Sequence, residues 1–313
     1  MTYAWRRAFT LVLTVLLVLM MTFAVFRIIP GNPALTILGM EADEAQVAAL
    51  EAKLGTDRPL GEQFASWLGG VVSGDLGESL KFSRPVGELI LDRLPVTASL
   101  AVLSMAITIV IAVPLGIAAA KSQRRASGWW ISLLSQLGLA VPSFWLGILL
   151  VLLFALTFHW FPAGGYVRWS ESPLEALRSL FLPALAVAIP QVAVVVRYLR
   201  TTMLEQLKQD YVRTGYSKGL KEQAVLYKHV LKNALIPVVT VMGMIFADVL
   251  GGSLVVEQVF ALPGLGRLLV SSIGARDFPL VQGMILFTAV TVIAINFAVD
   301  MLYRVLDPRI RLK

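Results

Sequence analysis

Cysteine is absent from the 313-residue sequence, and the only two histidines are His159 and His229. A chain without cysteine has no disulfide framework, no thiolate metal ligand and no cysteine nucleophile. The two histidines are too few and too distant in sequence to suggest a metal site. The sequence therefore argues against a redox enzyme and against a zinc enzyme.

Charged residues are also scarce, at 15% of the chain, whereas hydrophobic residues make up 57%. Soluble domains have roughly 25% charged and about 45–50% apolar residues. The high apolar content also excludes intrinsic disorder, which needs low hydrophobicity and high net charge. The length would allow two soluble domains, but the composition predicts an integral membrane protein.

Six apolar runs are long enough to cross a bilayer, which takes about 20 residues in a helix. They predict an all-α protein with six transmembrane helices: Phe9–Ile29, Val96–Ala120, Trp130–Leu156, Leu180–Val196, Ala234–Val256 and Leu280–Leu302. The first run is preceded by Arg6 and Arg7, as in a signal peptide. It is too long for a signal-peptide core and has no small-x-small cleavage site, so we expect it to remain as the first span.

The 27 lysines and arginines are distributed unevenly among the segments that join these runs. Seventeen lie in the N-terminus, the 121–128 loop, the 197–232 segment and the C-terminal tail. Cytoplasmic loops collect basic residues, so both termini are predicted to be cytoplasmic. The resulting plan has the N-terminus and first span in 1–29, a large external loop in 30–95, and a core with five further spans in 96–313.

Five prolines lie inside or near the spans: Pro114, Pro142, Pro183, Pro190 and Pro237. Each removes a backbone hydrogen bond and permits a kink. The prolines are compatible with simple packing and also with a pathway whose helices move.

The segment 197–232 is too polar to span a membrane and too long for a simple connector. Apolar residues recur at helical spacing on both sides of the glycines Gly215 and Gly219, which predicts two short helices around a break at these glycines. On physical grounds such a pair fits a docking surface for a protein and a basic helix on anionic headgroups equally well.

Sequence motifs favour the docking surface. Residues 210–220 read DYVRTGYSKGL and residues 228–237 read KHVLKNALIP. They resemble the coupling-helix (EAA) loop of ABC-importer permeases, in the variant of the dipeptide/oligopeptide/nickel class. That class has alanine and arginine where this chain has Gly215 and Tyr216.

Further motifs of the same class follow one another along the chain. They are PGNP at 30–33, LGTDRPL at 54–60, GDLGES at 74–79, RLPVT at 93–97, EQVFALPGLG at 257–266, and a C-terminal pattern of Asn296, Asp300, Tyr303 and Asp307–Arg309. The large first external loop resembles that of the B-type subunit of the permease pair.

This resemblance implies a permease subunit that forms the pathway for dipeptides or oligopeptides delivered by an external binding protein. The implied partners are that binding protein, a second (C-type) permease, two ATPase subunits and membrane lipid, with no nucleic acid. The chain has no G-x-x-x-x-G-K-[ST] phosphate loop. ATP is therefore expected on the partner subunits, and this chain is expected to be non-catalytic, without a cofactor or a metal.

The resemblance also implies which residues contact the ATPase: Asp210, Tyr211, Arg213, Thr214, Lys218, Gly219 and Leu220. Gly219 would set the turn, because glycine adopts positive φ angles. Asp248 lies near the middle of the predicted fifth span. On a physical argument alone, it is a candidate for lining the pathway or for pairing with a group of the partner subunit. An acid inside a span is costly and usually faces the bundle interior, although a structural polar contact is an equally good explanation.

Three alternatives stay open. The same machinery would serve to import nickel or a metal chelate. A stand-alone secondary transporter would show inverted repeats and midplane ion ligands, and no repeat between the halves is visible. A membrane-embedded enzyme needs a catalytic constellation such as H-E-x-x-H, for which the sequence offers no candidate.

Overall fold

A computed structural model describes residues 2–28, 33–39, 42–123 and 125–306. Within these ranges the chain is helical, with no β-strand. The α-helices are α1 (Thr2–Ile28), α2 (Pro33–Leu38), α3 (Glu44–Leu54), α4 (Leu60–Ser73), α5 (Val86–Lys121), α6 (Ala126–Ala140), α7 (Ser143–Leu150), α8 (Pro173–Gln206), α9 (Asp210–Ser217), α10 (Glu222–Ala224), α11 (Leu231–Gly252), α12 (Leu254–Val259), α13 (Leu265–Gly274) and α14 (Phe278–Leu306). The motif residues Pro30–Asn32 and Asp307–Arg309 lie outside the described residues.

Five helices in the described part of the chain are long and apolar enough to cross a membrane. They are Phe9–Arg27, Val86–Lys121, Pro173–Gln206, Glu222–Gly251 and Phe278–Leu302. A sixth span results if the bent pair Ala126–Ala140 and Ser143–Thr157 is counted as one. The prediction of an all-α membrane protein is confirmed.

The third predicted span, Trp130–Leu156, is not one straight helix. The axes of its two halves differ by 99°, and the break lies at Val141 and Pro142. Proline has no N–H to donate, and its ring disfavours a helical conformation in the preceding residue. Val141 is accordingly extended, with φ −95° and ψ 123°.

Several helices continue well beyond the apolar runs that predict them. The helix α5 begins at Val86, ten residues before the predicted start at Val96. The helix α8 begins with Pro173 behind an N-cap, Ser172, whose hydroxyl accepts a hydrogen bond from the backbone N–H of Glu175. An apolar window detects only the part of a helix that lies in lipid, so its polar ends are missed.

The described residues form two compact units. The first unit takes its residues from 1–96 and 264–293, and the second from 97–263 and 294–313. Leucine, valine, isoleucine and methionine side chains from the start of α5, from α13 and from the start of α14 form a core in the first unit: Val86, Leu89, Ile90, Leu265, Leu268, Leu280 and Met284. In the same unit α4 packs on α1, with the ring of Phe23 5.2 Å from that of Phe64.

A buried carboxylate ties the 74–85 loop to the start of α14 in the first unit. Asp277 is 1% exposed and accepts a hydrogen bond of 2.5 Å from the hydroxyl of Ser79. The backbone N–H groups of Leu80 and Lys81 also donate to it, each at 3.2 Å. Its Oδ1 caps α14 by accepting from the N–H of Leu280 at 3.4 Å. One side chain thus satisfies donors from segments almost 200 residues apart.

In the second unit α8 is the most enclosed span, and α6, α7, α11 and α12 pack against it. The buried Glu257 of α12 accepts hydrogen bonds from the hydroxyls of Thr97 (2.7 Å) and Ser253 (3.1 Å). Phe260 packs over Gly147, where the Cβ of any larger residue would lie 2.9 Å from the ring. The glutamate and phenylalanine of the 257–266 motif are therefore both fixed inside this unit.

Candidate functional site

The segment 197–232 folds into the end of α8, the separate helix α9, and the start of a helix that runs into the fifth span. The prediction of a short helix before Gly219 is confirmed only in part. The apolar positions that predict it are divided at residues 207–209, with Leu204 on α8 and Tyr211 and Thr214 on α9. The second helix differs from the prediction, because Glu222–Gly251 is one continuous helix. No proline or glycine interrupts residues 220–236, and Val225, Leu226 and Val230 are buried along its first turns.

The helix α9 ends in a Schellman motif, which is a pair of backbone hydrogen bonds around a left-handed residue. Gly219 has φ +76°. The N–H of Leu220 donates to the carbonyl of Gly215 (3.2 Å), and the N–H of Gly219 donates to that of Tyr216 (2.9 Å). Gly219 therefore sets the turn, as its sequence position predicts.

Gly215 does not break the helix, contrary to the expected break at both glycines. It is buried inside α9, where a Cβ on this residue would lie 3.4 Å from Val225 and 3.7 Å from Leu220. Together with Val212, which is 2% exposed, it forms the face of α9 that packs on the start of the fifth-span helix. The short helix is thus attached to that helix by packing as well as by the chain.

The charged residues of α9 lie on its outer side. Asp210 and Arg213 approach within 3.8 Å, with side-chain exposures of 96% and 81%. Ion pairs this exposed contribute little to stability, about 0–1 kcal/mol. An acid in the first turn also suits the positive end of the helix dipole. These charges are free to meet another protein at little cost to the fold.

The remaining predicted contact residues are exposed as well, and two of them have local bonds. The hydroxyl of Tyr211 donates to the side-chain oxygen of Gln206 at 2.7 Å, which joins α9 to the end of α8. The hydroxyl of Thr214 donates to the carbonyl of Asp210. Lys218 and Leu220 are exposed at the turn. The structure therefore places all seven predicted residues on α9 and the turn that follows it.

Tyr216 is not among the contact residues predicted from the 210–220 motif, although it is also exposed on α9. Its side chain is 46% exposed, and that of Tyr227 on the continuing helix is 50% exposed. Large exposed aromatic side chains are enriched where proteins bind one another. The sequence signal that could have identified Tyr216 is an aromatic residue within the polar, amphipathic stretch of α9.

Asp248 lies one turn before the C-terminal end of α11, on a face that the described chain leaves uncovered. We call this the open face of α11. Its members recur at steps of three or four residues, and all are exposed except the half-buried Val241: Pro237, Val241, Met244, Asp248 and Gly251. Met244 is 56% exposed. Within the described residues the carboxylate of Asp248 has no hydrogen bond and no ion pair.

The presence of Asp248 on the open face restricts what can cover that face. Asp248 lies three residues before the end of the Glu222–Gly251 span, not near the middle of the span as the sequence predicts. An aspartate inside a span is costly in lipid and usually faces a bundle interior or a water-filled cavity. The open face is therefore unsuited to lipid. It fits either a pathway or a neighbouring subunit, which keeps both explanations of Asp248 open.

No group of three or more histidine, aspartate or glutamate side chains able to hold a metal ion occurs in the part of the chain that the structure describes. The segment 197–232 presents exposed charges and aromatic rings on and beside a short helix.

Two family models match this chain. The model described as "Binding-protein-dependent transport system inner membrane component" matches residues 112–312. Its N-terminal companion, described as "Binding-prot-dependent transport system membrane comp, N-term", matches residues 1–101. Together they account for nearly the whole sequence.

Curated relatives align with this chain over almost their full length. A Brucella abortus (strain 2308) protein, whose name describes a peptide transport system permease, is 47% identical over 296 residues, covering 95% of this chain and 94% of the relative. The glutathione transport system permease protein GsiC of Pectobacterium atrosepticum is 40% identical, with 99% of both chains covered. The oligopeptide transport system permease protein AppB of Bacillus subtilis is 37% identical, with 98% of both covered.

These matches, the apolar helices and the exposed short helix α9 agree with one another. The chain belongs to the binding-protein-dependent transport system inner membrane component family and is a multi-pass ABC-importer permease of the cytoplasmic membrane.

Proposed function

We propose that this chain is the B-type permease subunit of an ATP-driven importer of dipeptides and oligopeptides. The relatives described above carry peptide, oligopeptide and glutathione permease names, and glutathione is itself a small peptide. These names favour peptide cargo over the nickel or metal-chelate alternative. The observation that carries the proposal is the exposed helix α9, packed on the helix of the fifth span in a chain of this family.

In the proposed topology both termini and the segment 197–232 are cytoplasmic, and residues 30–95 are external. The distribution of basic residues supports this orientation. Trp129 and Trp130, which are 59% and 56% exposed, follow Arg125 at the start of α6, as expected for aromatic residues at the cytoplasmic interface. The domain plan is then 1–29, 30–95 and 96–313.

The ATPase contact is proposed for the outer surface of α9 and its turn, formed by Asp210, Tyr211, Arg213, Thr214, Lys218, Gly219 and Leu220. Because Val212 and Gly215 pack on the start of the fifth-span helix, a force on α9 reaches that helix directly. Closure of an ATPase pair would then move the span as a rigid body.

The complete transporter in this proposal contains this chain, a C-type permease, two ATPase subunits and an external binding protein, surrounded by membrane lipid. ATP is bound and hydrolysed by the ATPase subunits, and this chain needs no cofactor. A stand-alone secondary transporter would take up cargo from an ion gradient, so ATP dependence separates the two functions.

The test is peptide uptake by the transporter reassembled in proteoliposomes from the subunits encoded with this chain. Uptake of trialanine should require both ATP and the binding protein. Gly219→Val should abolish it, because a β-branched residue at φ +76° is strained by at least about 1–2 kcal/mol and the turn below α9 is lost.

Gly219→Asn is the matched control, since asparagine tolerates a positive φ and a Cβ at this position meets no atom within 4 Å. It should retain most of the uptake. ATP-independent uptake by the wild type, or normal uptake by Gly219→Val, would refute the proposal.

A further inference from the structure

The single charged residue on the open face of α11 is Asp248, and its depth can be estimated from the helix. Asp248 lies 16 residues after Lys232 on one continuous helix, which is about 24 Å at 1.5 Å per residue. In the proposed topology Lys232 lies near the cytoplasmic surface. Asp248 therefore lies in the external half of the membrane, where imported cargo arrives.

The electrostatics of this position favour a cation. The carboxylate has no partner in the described residues, and it lies one turn from the C-terminus of α11, where the backbone carbonyls carry partial negative charge. Both contributions have the same sign, so each attracts a positive charge. A ligand with a single positive charge fits this site.

Peptides of any sequence share few chemical groups: the backbone amides, one α-ammonium and one α-carboxylate. A permease that accepts many sequences can fix only these shared groups. Around Asp248 the open face carries Val241 and Met244, which are apolar, and methionine adapts to side chains of different shape. One anion on an apolar, adaptable surface matches a peptide N-terminus followed by variable side chains.

We propose that Asp248 binds the α-ammonium group of the peptide as it enters the pathway from the external side. This inference rests on the proposed function as a peptide importer, and it adds the group of the substrate that this residue recognises. The competing occupant is a basic side chain of the second permease, which the experiment distinguishes.

The absence of cysteine from this chain allows a charge-rescue experiment in the assembled transporter. Asp248→Cys removes the anion, and uptake of trialanine at saturating binding protein should fall about tenfold, as expected for one lost charge-assisted hydrogen bond. A sulfonated methanethiosulfonate forms a mixed disulfide with the thiol, releases methanesulfinate and restores a negative charge. Uptake should then recover to within about threefold of the wild type.

The controls separate charge from bulk. A trimethylammonium methanethiosulfonate reacts in the same way but leaves a positive charge, and it should not restore uptake. Met244→Cys lies on the same face, and the two reagents should affect its uptake equally. The wild-type transporter is treated with each reagent as well, and any change in its uptake measures the reaction of cysteines in the other subunits. Asp248→Glu, which keeps the anion, should retain at least about half of the uptake.

Four results would overturn the proposal: normal uptake by Asp248→Cys, an unreactive thiol, equal responses to both reagents, or loss of the second permease on purification of Asp248→Cys. The last result would assign Asp248 to an ion pair between subunits. If the wild-type transporter itself fails to import trialanine with ATP and binding protein, the proposed function fails, which is a separate outcome.

Discussion

Asp277, which directly precedes the span Phe278–Leu302, and Asp248, which lies near the end of the span Glu222–Gly251, have opposite surroundings. Asp277 is buried and receives four hydrogen bonds within its own unit. Asp248 is exposed and receives none from the described residues. The first acid is explained completely by the fold of one chain. No described residue of the chain accounts for the second.

Asp277 and Asp248 differ in whether their own subunit supplies hydrogen-bond donors to the carboxylate. A carboxylate that accepts all its hydrogen bonds from its own subunit stabilises the fold. Removing that carboxylate leaves buried donors without a partner. A carboxylate left open on a span is expensive in lipid and therefore marks a surface that another molecule or water covers. The same residue type is thus fully hydrogen-bonded within its own unit at Asp277 and has no partner among the described residues at Asp248.

The largest predicted effect is at Asp277. Asp277→Ala removes the N-cap of α14 and leaves the hydroxyl of Ser79 and two backbone N–H groups without an acceptor. We expect a loss of about 3 kcal/mol in the free energy of unfolding, measured as denaturant-induced unfolding of the purified protein in detergent.

Ser79→Ala removes one of the four donors and is the graded control, with an expected loss of about 1 kcal/mol. Asp277→Asn keeps an acceptor oxygen and should fall between the two. If Asp277→Ala is no less stable than Ser79→Ala, the carboxylate is not the centre of this contact.

The smaller effect is at Asp248, measured in the same way. Asp248→Ala removes no hydrogen bond within the described chain, so the free energy of unfolding of the isolated subunit should change by less than about 0.5 kcal/mol. A loss comparable to that of Asp277→Ala would mean that Asp248 supports the fold of its own subunit, and the contrast between the two acids would disappear.

The spans and the turn at Gly219 were predictable because their signals are local. Apolar runs locate the spanning helices, and a glycine after a helical stretch locates the Schellman turn at Gly219. Pro142 signals a kink, but the 99° angle depends on how α6 and α7 pack against α8, which no local pattern contains.

Other features depend on contacts between distant residues. The hydrogen bond between Ser79 and Asp277 joins positions 198 residues apart. No local sequence pattern around either residue predicts this bond. The continuity of the helix from Glu222 into the fifth span was missed because its polar start and its apolar continuation have different sequence signals. The open face around Asp248 is defined by the packing of α11, which leaves these residues uncovered.

The central claim is that α9 is the contact with the ATPase, and cross-linking tests it directly. The chain has no cysteine of its own, so Thr214→Cys places one thiol on the exposed side of α9, and Phe82→Cys places one on the 74–85 loop. In the assembled transporter, a thiol-to-amine cross-linker should join Thr214→Cys to an ATPase subunit and should not join Phe82→Cys to it. Cross-linking of Phe82→Cys to the ATPase, with none from Thr214→Cys, would contradict both the coupling site and the orientation of the chain in the membrane.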